Sequence, residues 1–486
     1  MNELQRRMIE TGKSILLVFL VLLSIFLTWL LWYQRPPFTA VEKNYTSIPP
    51  LGEERKPEQL IAPQVIYFHE SGTHRMALPY SHPHRMALEK LSEWKVRNLE
   101  AVSWAELDWL GMRRAVGIEL EYGFRVPLKE LSVIWEGVEA GAGQMEAVTR
   151  LWAWSGAEGQ IWLYFIDQER RQAARGVVEA EPPEWQMLLQ SAAGLPKVHF
   201  YPASQAANRL PAAKSPSSGA ASPAAASSPD SPPSGVVPAE SGKEGEPAPA
   251  SEGAPEGWYL PAAPLEVAEE VVRLEPITLE MINPYLFVDP SYIREMITRD
   301  GVSVYTDGSR SLQVEPSRLR LVYDAPMAFS QASQGNERMG YSGMAVQFVN
   351  QHGGWTGDYL IDGYQQFRQE QIRLHFRFYH GPYPVYGTGG TGEDGRLLVS
   401  MQPEAQVISL ERPLYRLGQR LKRQSRILPA GDVVYQRLLQ LQREGVPVRQ
   451  ARVAYRMELA KGQVRLVPGW VLAEPSGAFR WLDAAE

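Results

Sequence analysis

The sequence predicts an α+β fold with mostly antiparallel sheets, joined to an N-terminal single transmembrane helix. Strand-like and helix-like segments are interspersed without a regular β-α-β rhythm, which favours antiparallel pairing. Residues 448–459 and 463–472 form a predicted hairpin around a Lys-Gly turn. An uncharged apolar run at residues 14–33 is about 20 residues long and spans roughly 30 Å as a helix, the thickness of a bilayer core.

Positive charge before the apolar run predicts the orientation of the chain. Arg6, Arg7 and Lys13 precede the run and outnumber Arg35 beyond it, so residues 1–13 are expected in the cytoplasm. The chain after the run is polar enough to be soluble and is expected on the other side. The predicted location is therefore the cell membrane, with a single crossing and an extracytoplasmic body.

Aromatic residues mark the far end of the run. Trp29, Trp32 and Tyr33 cluster there and are predicted to lie at the membrane interface, where amphipathic rings are favoured. A cleaved secretory signal is the alternative, but such signals have an apolar core of about 7 to 15 residues and a small-x-small cleavage site. Residues 34–40 contain no such site, which favours a retained anchor.

Two hydroxylated residues of the predicted helix share one face, because Ser24 and Thr28 are four positions apart. Helix contacts in lipid favour small and hydroxylated residues, so this face is a candidate contact with a partner helix. The alternative is that both hydroxyls bond to carbonyls of their own helix.

Composition excludes several classes of function. The chain has 486 residues and a formal net charge of −6, which argues against nucleic acid as a main partner. It contains no cysteine, so disulfides and thiolate metal sites are excluded. No cofactor or metal is predicted.

The remaining chain divides by composition into a stalk, three domains and one insert. The stalk is punctuated by proline, and the insert is almost entirely Ala, Pro, Ser, Gly and Glu, which cannot bury enough apolar area to offset the entropy of ordering. The predicted segments are the stalk at 34–63, a first α+β domain at 64–202, a disordered insert at 203–257, a middle α+β domain at 258–370 and a β-rich C-terminal domain at 371–486.

Apolar periodicity and capping signals predict the individual elements. Helices are predicted at residues 85–99, 127–134, 184–193, 278–286, 290–298, 337–350 and 432–443. Strands are predicted at residues 65–68, 117–122, 148–154, 160–167, 197–201, 265–274, 302–305, 318–323, 359–361, 372–379, 396–400 and 405–411.

Four histidines lie close together in sequence, at His69, His74, His82 and His84. Their spacing matches no metal-binding motif, and the neighbouring Pro79 and Pro83 predict a surface loop. Glu119 and Glu121 lie on the same side of a predicted strand and are expected to face solvent. No nucleophile, metalloprotease or phosphate-loop motif is present, so an enzyme is not predicted.

Two further motifs predict backbone features. Asp307-Gly308 separates two strand-like runs, which predicts a type I′ hairpin turn that allows Arg310 to pair with Asp307. A contact with a ligand or partner is the alternative for this segment. Gly353-Gly354-Trp355 combines backbone freedom with a large ring and predicts a packed corner, whereas an exposed Trp355 would suit an interface.

Five segments together resemble the YycH (WalH) family. They are residues 27–36, 287–294, 304–313, 348–355 and 466–470. The most specific is Tyr305-Thr306-Asp307-Gly308-Ser309-Arg310, followed by His352-Gly353-Gly354-Trp355. The resemblance covers most of the chain in the same order, with the insert at 203–257 as the main departure.

The resemblance implies a membrane-anchored regulator that is not an enzyme. Family members form a complex with the sensor histidine kinase WalK and a second anchored protein, YycI, and adjust two-component signalling in cell-wall homeostasis. Two alternatives stay open at this point. One is an anchored binding module for a cell-wall fragment or peptide, and the other is a cell-wall enzyme, which only the location would favour.

Overall fold

The computed structural model describes residues 13, 16–27 and 51–482, apart from 133, 136–137, 139–144, 157–159, 180–181, 204–255, 288, 300–301, 316–318, 326–339, 367–370, 389–394 and 403–406. The predicted residues Thr28, Trp29, Trp32 and Tyr33 lie outside this range, as do nearly all of the predicted insert and residues 34–50 of the stalk. The chain divides into two compact units, residues 1–50 and 51–486.

The first unit is described only through Lys13 and residues 16–27, and these residues are helical. The apolar side chains of 16–27 are all exposed, from 39% for Leu23 to 64% for Leu17. No helix of the described residues is both long enough and apolar enough to cross a bilayer. The membrane helix at 14–33 therefore stays a prediction.

Antiparallel pairing joins nine strands of the described chain into the first sheet of the second unit, in the order β3-β7-β6-β5-β4-β1-β2-β8-β9. Its strands are β1 (Val65–Glu70), β2 (Thr73–Ala77), β3 (Lys95–Val102), β4 (Gly117–Pro127), β5 (Ala147–Ser155), β6 (Ile161–Asp167), β7 (Gln172–Glu179), β8 (Lys197–Pro202) and β9 (Gly257–Pro261). Trp, Tyr, Phe and branched residues of β5 and β6 pack both faces, which is why these strands lie inside the sheet and not at its edge.

The second sheet runs in the order β11-β12-β13-β14-β19-β18-β16-β17-β21-β22-β10-β20, with β15 beside β16 and β23 beside β22. All of its pairs are antiparallel except β17 with β21. Its strands are β10 (Leu265–Pro276), β11 (Arg294–Ile297), β12 (Ser303–Thr306), β13 (Ser311–Glu315), β14 (Arg320–Asp324), β15 (Asp358–Gln366), β16 (Ile372–His380), β17 (Tyr383–Gly387), β18 (Arg396–Met401), β19 (Val407–Pro413), β20 (Tyr415–Leu428), β21 (Gln450–Ala460), β22 (Gln463–Ala473) and β23 (Phe479–Leu482).

Helices cover and connect the sheets. They span Pro57–Leu60, His82–Ser92, Trp109–Arg114, Leu128–Leu131, Pro182–Ser191, Leu279–Leu286, Tyr341–Gln351 and Gly431–Arg443, with short 3-10 turns at Trp104–Glu106 and Pro290–Tyr292. One continuous core includes Ile66 and Phe165 of the first sheet with Val399 and Leu466 of the second. The fold is therefore of the α+β type with mostly antiparallel sheets, as predicted.

Two predicted helices are wrong in part. The helix predicted at residues 85–99 ends at Ser92, and β3 begins at Lys95. The helix predicted at 290–298 is a single 3-10 turn followed by β11, because pairing of Arg294 with Thr306 places this segment in the sheet. β20 was not predicted, since its middle residues are polar and exposed along the edge of the sheet.

The predicted insert interrupts the first sheet between two neighbouring strands. β8 pairs antiparallel with β9, so Pro202 lies opposite Gly257, and the Ala203 N–H donates to the Glu256 carbonyl at 3.0 Å. The first sheet thus gains its last strand from beyond the insert. The domain boundaries at residues 202, 257 and 370 stay predictions.

Candidate functional site

The family motif at residues 305–310 forms the turn between β12 and β13. Asp307 Oδ1 accepts hydrogen bonds from the Ser309 and Arg310 N–H groups, both at 2.9 Å. These bonds and Arg310 lower the pKa of Asp307 against the opposing effect of burial. Gly308 has a φ of +91°, and Asp307 does not share this left-handed backbone. The predicted type I′ turn is therefore wrong, because the Asp307 side chain organises a longer turn.

Arg310 points away from the turn toward the interior. Its Nη1 donates to the Leu286 carbonyl at 3.2 Å, and the Tyr323 hydroxyl donates to the same oxygen at 2.7 Å. Burial lowers the pKa of His352 to about 4, and the positive charge of Arg310 contributes to this effect. The two motif segments, separate in sequence, therefore approach each other around the end of the Leu279–Leu286 helix.

The second motif segment ends the helix Tyr341–Gln351. The His352 N–H donates to the Phe348 carbonyl at 3.0 Å, and the Gly354 N–H donates to the Val349 carbonyl at 2.9 Å. Gly353 and Gly354 both have positive φ, at +98° and +73°. The helix therefore ends through two left-handed backbone positions, which glycine adopts without a steric penalty because it has no side chain.

Trp355 is buried at this corner, with 1% of its surface exposed. Its indole N–H donates to Asn350 Oδ1 at 2.9 Å. Its backbone forms a β-bridge with Glu53, in which the Trp355 N–H donates to the Glu53 carbonyl at 2.8 Å. The motif therefore builds a packed corner that fixes residues 51–53, where the second unit begins.

A buried polar network in the first sheet was missed from the sequence. His69 and His74 face each other across β1 and β2, with their Nδ1 atoms 2.8 Å apart. His69 Nε2 lies 3.1 Å from Glu119 Oε2, and Arg150 binds the other oxygen of Glu119. Because Glu119 accepts from His69 Nε2–H, His69 Nδ1 is the acceptor and His74 Nδ1–H the donor.

Electrostatics keep this network in one protonation state. Burial lowers the pKa of His69 and lowers that of His74 to about 3. Burial alone would raise the pKa of Glu119, but Arg150 and His69 lower it to about 2. An ionised glutamate therefore faces two neutral histidines at neutral pH.

The surface-loop and solvent-face predictions for these residues are wrong. His69, His74, His84 and Glu119 are buried, and His82 alone of the four histidines is exposed. The turn Ser71-Gly72, with positive φ at both residues, is the I′ hairpin signal that would have paired His69 with His74. Within the described part of the chain, no group of three or more metal-binding side chains is placed to hold an ion.

The N-terminal candidates are only partly located. Ser24 lies on the exposed helical segment of residues 16–27, and its proposed companion Thr28 lies beyond the described residues. The structure therefore brings together the two family-motif segments. The predicted partner contact of Ser24 and Thr28 stays a prediction.

Comparison with known families decides the affiliation. A model described as "YycH protein, N-terminal domain" matches residues 10–170, and one described as "YycH protein, C-terminal domain" matches residues 256–476. The chain belongs to the YycH family. YycH-family membership supports a general role as a regulator in the WalK two-component pathway. The family is one of regulatory accessory proteins and is not a known enzyme family.

A solved structure of a YycH protein has the same fold. YycH from Bacillus subtilis superposes with a TM-score of 0.62 at 14% identity, over 90% of this chain and 99% of that chain. At this identity, the likeness shows the YycH fold alone. An uncharacterized protein from Eubacterium rectale gives a TM-score of 0.30 at 10% identity over 46% of this chain and 80% of its own. No curated protein sequence matches the chain.

Proposed function

We propose that this YycH-family chain is a membrane-tethered regulator whose extracytoplasmic body forms a complex with the sensor kinase WalK and a YycI-like partner. Family membership carries this proposal, since both family models match in their expected order along the chain. The regulator acts by binding and positioning its partners rather than by catalysis.

The N-terminal helix supports a tether in the membrane. Its apolar side chains are exposed around the whole helix at residues 16–27, and a helix that is hydrophobic all round requires an apolar cover. Lipid supplies that cover if the helix continues to residue 33, as the apolar sequence allows. Positive residues before the helix favour a cytoplasmic N-terminus.

The contact with the kinase is proposed to lie on the Ser24–Thr28 face. Replacing both residues with leucine retains hydrophobicity for insertion but removes the small hydroxylated surface. We expect this double variant to reach the membrane normally and to lose at least half of its crosslinking to WalK. A matched control replaces Leu22 with isoleucine and Phe26 with leucine on the opposite face of the helix. Unchanged crosslinking in the Ser24/Thr28 variant would refute the helix contact.

An anchor exchange tests the complex itself. The full-length chain and a version with residues 1–32 replaced by an unrelated membrane anchor are each purified from membranes together with WalK and the YycI-like protein. Recovery of WalK only with the native anchor is the expected result. Failure of the native chain to recover either partner would overturn the proposed function.

A further inference from the structure

A deep cleft of about 750 Å³ opens between the first sheet and β15. The helix His82–Ser92 forms one wall, the start of β15 forms the opposite wall, and residues 55–62 form a third side. This volume lies within the range of roughly 300 to 1,000 Å³ that is typical of small-ligand sites. Neither the family motif nor the helix face involves this cleft.

Aromatic and aliphatic side chains line the interior. Trp135 and Tyr122 are buried, while Leu88, Ile134 and Tyr80 are half-buried against them. Such a lining favours an apolar group of the ligand by removing both surfaces from water.

One buried polar group of the lining has hydrogen-bonding capacity that a ligand could use. The Tyr122 hydroxyl also has no partner among the described residues, but it is closed off from solvent and so from the cleft. His84 lies 2.9 Å from the Pro63 carbonyl through Nε2, so that nitrogen carries the hydrogen and Nδ1 is an acceptor. Burial lowers the pKa of His84 to about 4, so the ring is neutral at physiological pH.

The exposed residues of the lining carry charges of both signs. Lys56 and Arg85 are cationic, and Glu58 and Glu89 are anionic. A ligand with a single charge would meet repulsion from two of these four groups, whereas one with both charges can pair with each sign.

We propose that this cleft binds a short zwitterionic peptide carrying an apolar side chain. The apolar side chain occupies the aromatic interior, and the peptide ammonium and carboxylate pair with the carboxylates and cations of the rim. A backbone N–H of the peptide donates to His84 Nδ1. A lipid tail would satisfy the apolar wall but leave this acceptor unpaired.

Binding would also stabilise the position of residues 55–62. This segment follows in sequence directly after residues 51–54, with which the second unit begins. The cleft proposal goes beyond the tethered-regulator role and does not depend on it.

The test measures binding of Ala-Leu-Ala and Ala-Phe-Ala to the full-length protein by isothermal titration calorimetry. We expect dissociation constants below about 1 mM and at least tenfold weaker binding when the same peptides are N-acetylated and C-amidated. The variant L88W fills the cleft and is expected to weaken binding at least tenfold. Its control, E93W, adds the same ring at an exposed position and is expected to bind as the native chain does.

A second control is Y122F, which removes a hydroxyl that is closed off from the cleft. We expect its unfolding midpoint and its peptide binding to equal those of the native chain. The unfolding midpoints of L88W and E93W show whether a loss of binding reflects a loss of folding. Absence of binding by both free peptides at 10 mM, or equal binding by L88W and E93W, would overturn the proposal. Recovery of WalK by the native chain is measured separately, so the two proposals fail independently.

Discussion

Glu130 caps a helix that begins 211 residues later in the chain, because its Oε1 accepts a hydrogen bond from the Tyr341 N–H at 2.7 Å. Its second oxygen accepts from the Ser342 N–H at 2.9 Å. The helix has Gly340 at its N-cap and thus no capping side chain of its own. A buried carboxylate from the first sheet region therefore satisfies the first N–H groups of a helix that packs on the second sheet.

Replacing Glu130 with alanine is expected to lower the free energy of unfolding by about 1 to 3 kcal/mol, because one buried and one partly buried N–H donor lose their acceptor. Urea unfolding followed by tryptophan fluorescence measures the change. Lys129→Ala, at the exposed neighbouring position, is the control and is expected to have little effect. Equal stability of both variants would show that the cap is unimportant.

Two glycines with the same backbone conformation are expected to respond differently to alanine. Gly308→Ala meets nothing within 4 Å and bears only the left-handed strain of about 1 to 2 kcal/mol. In Gly354→Ala the new Cβ would lie 2.7 Å from the Gly52 carbonyl oxygen, so residues 51–53 must move. Thermal unfolding is expected to show a clearly larger loss for Gly354→Ala, together with faster proteolysis near residue 52. Similar losses would contradict the packed corner.

Trp355→Ala is expected to destabilise the chain by about 3 to 5 kcal/mol, because it opens a cavity at a fully packed position. The indole contacts Phe376 with ring centroids 5.0 Å apart, and that contact disappears with the ring. Tyr292→Ala is the comparison, since Tyr292 is 72% exposed and its loss is expected to change stability by less than about 0.5 kcal/mol. Denaturant midpoints measure both, and a small effect at Trp355 would favour an interface role instead.

Stability is expected to fall as the pH drops below about 6.5. Burial holds the pKa of His74 at about 3 and those of His84 and His352 at about 4, whereas an unfolded histidine titrates near 6.5. The unfolded chain therefore binds protons that the folded chain does not, at about 1 kcal/mol per buried histidine at pH 5.5. Urea unfolding at pH 7.5 and 5.5 measures the loss.

The exposed His82 provides the control for this pH dependence. His82→Asn is expected to leave the difference between the two pH values unchanged, while His84→Asn is expected to reduce it. A stability that is the same at both pH values would show that the buried histidines titrate normally.

Local signals predicted the elements in which side chains alternate or helices are amphipathic. The hairpin of β21 and β22 and the helix Gly431–Arg443 follow directly from such patterns. The helix predicted at 290–298 does begin where expected, since Asp289 accepts a hydrogen bond from the Ser291 N–H at 2.9 Å, but it stops after one turn. Strand pairing between β11 and β12 overrides the local preference, and a single sequence does not reveal that pairing.

The structure around a candidate-site residue could be predicted where it depends only on the conformation of the backbone. Gly353 and Gly354 required a corner on conformational grounds, and the structure has one. The prediction that Glu119 faces solvent was wrong. The alternation of side chains along a strand shows which face a residue lies on, but not which other side chains bury that face. Here Arg150 from β5 and His69 from β1 cover it, and the neutralisation of a buried carboxylate depends on side chains distant in sequence.

The pairing of β8 with β9 places Ala203 and Glu256, the described residues on either side of positions 204–255, next to each other at one edge of the sheet. Chain length between two such adjacent points has little influence on the strands they join, since closure entropy grows only slowly with loop length. A fluorescent protein or an affinity tag could therefore be inserted between β8 and β9 without disturbing the surrounding sheet. The fluorescent protein would make the chain visible in living cells.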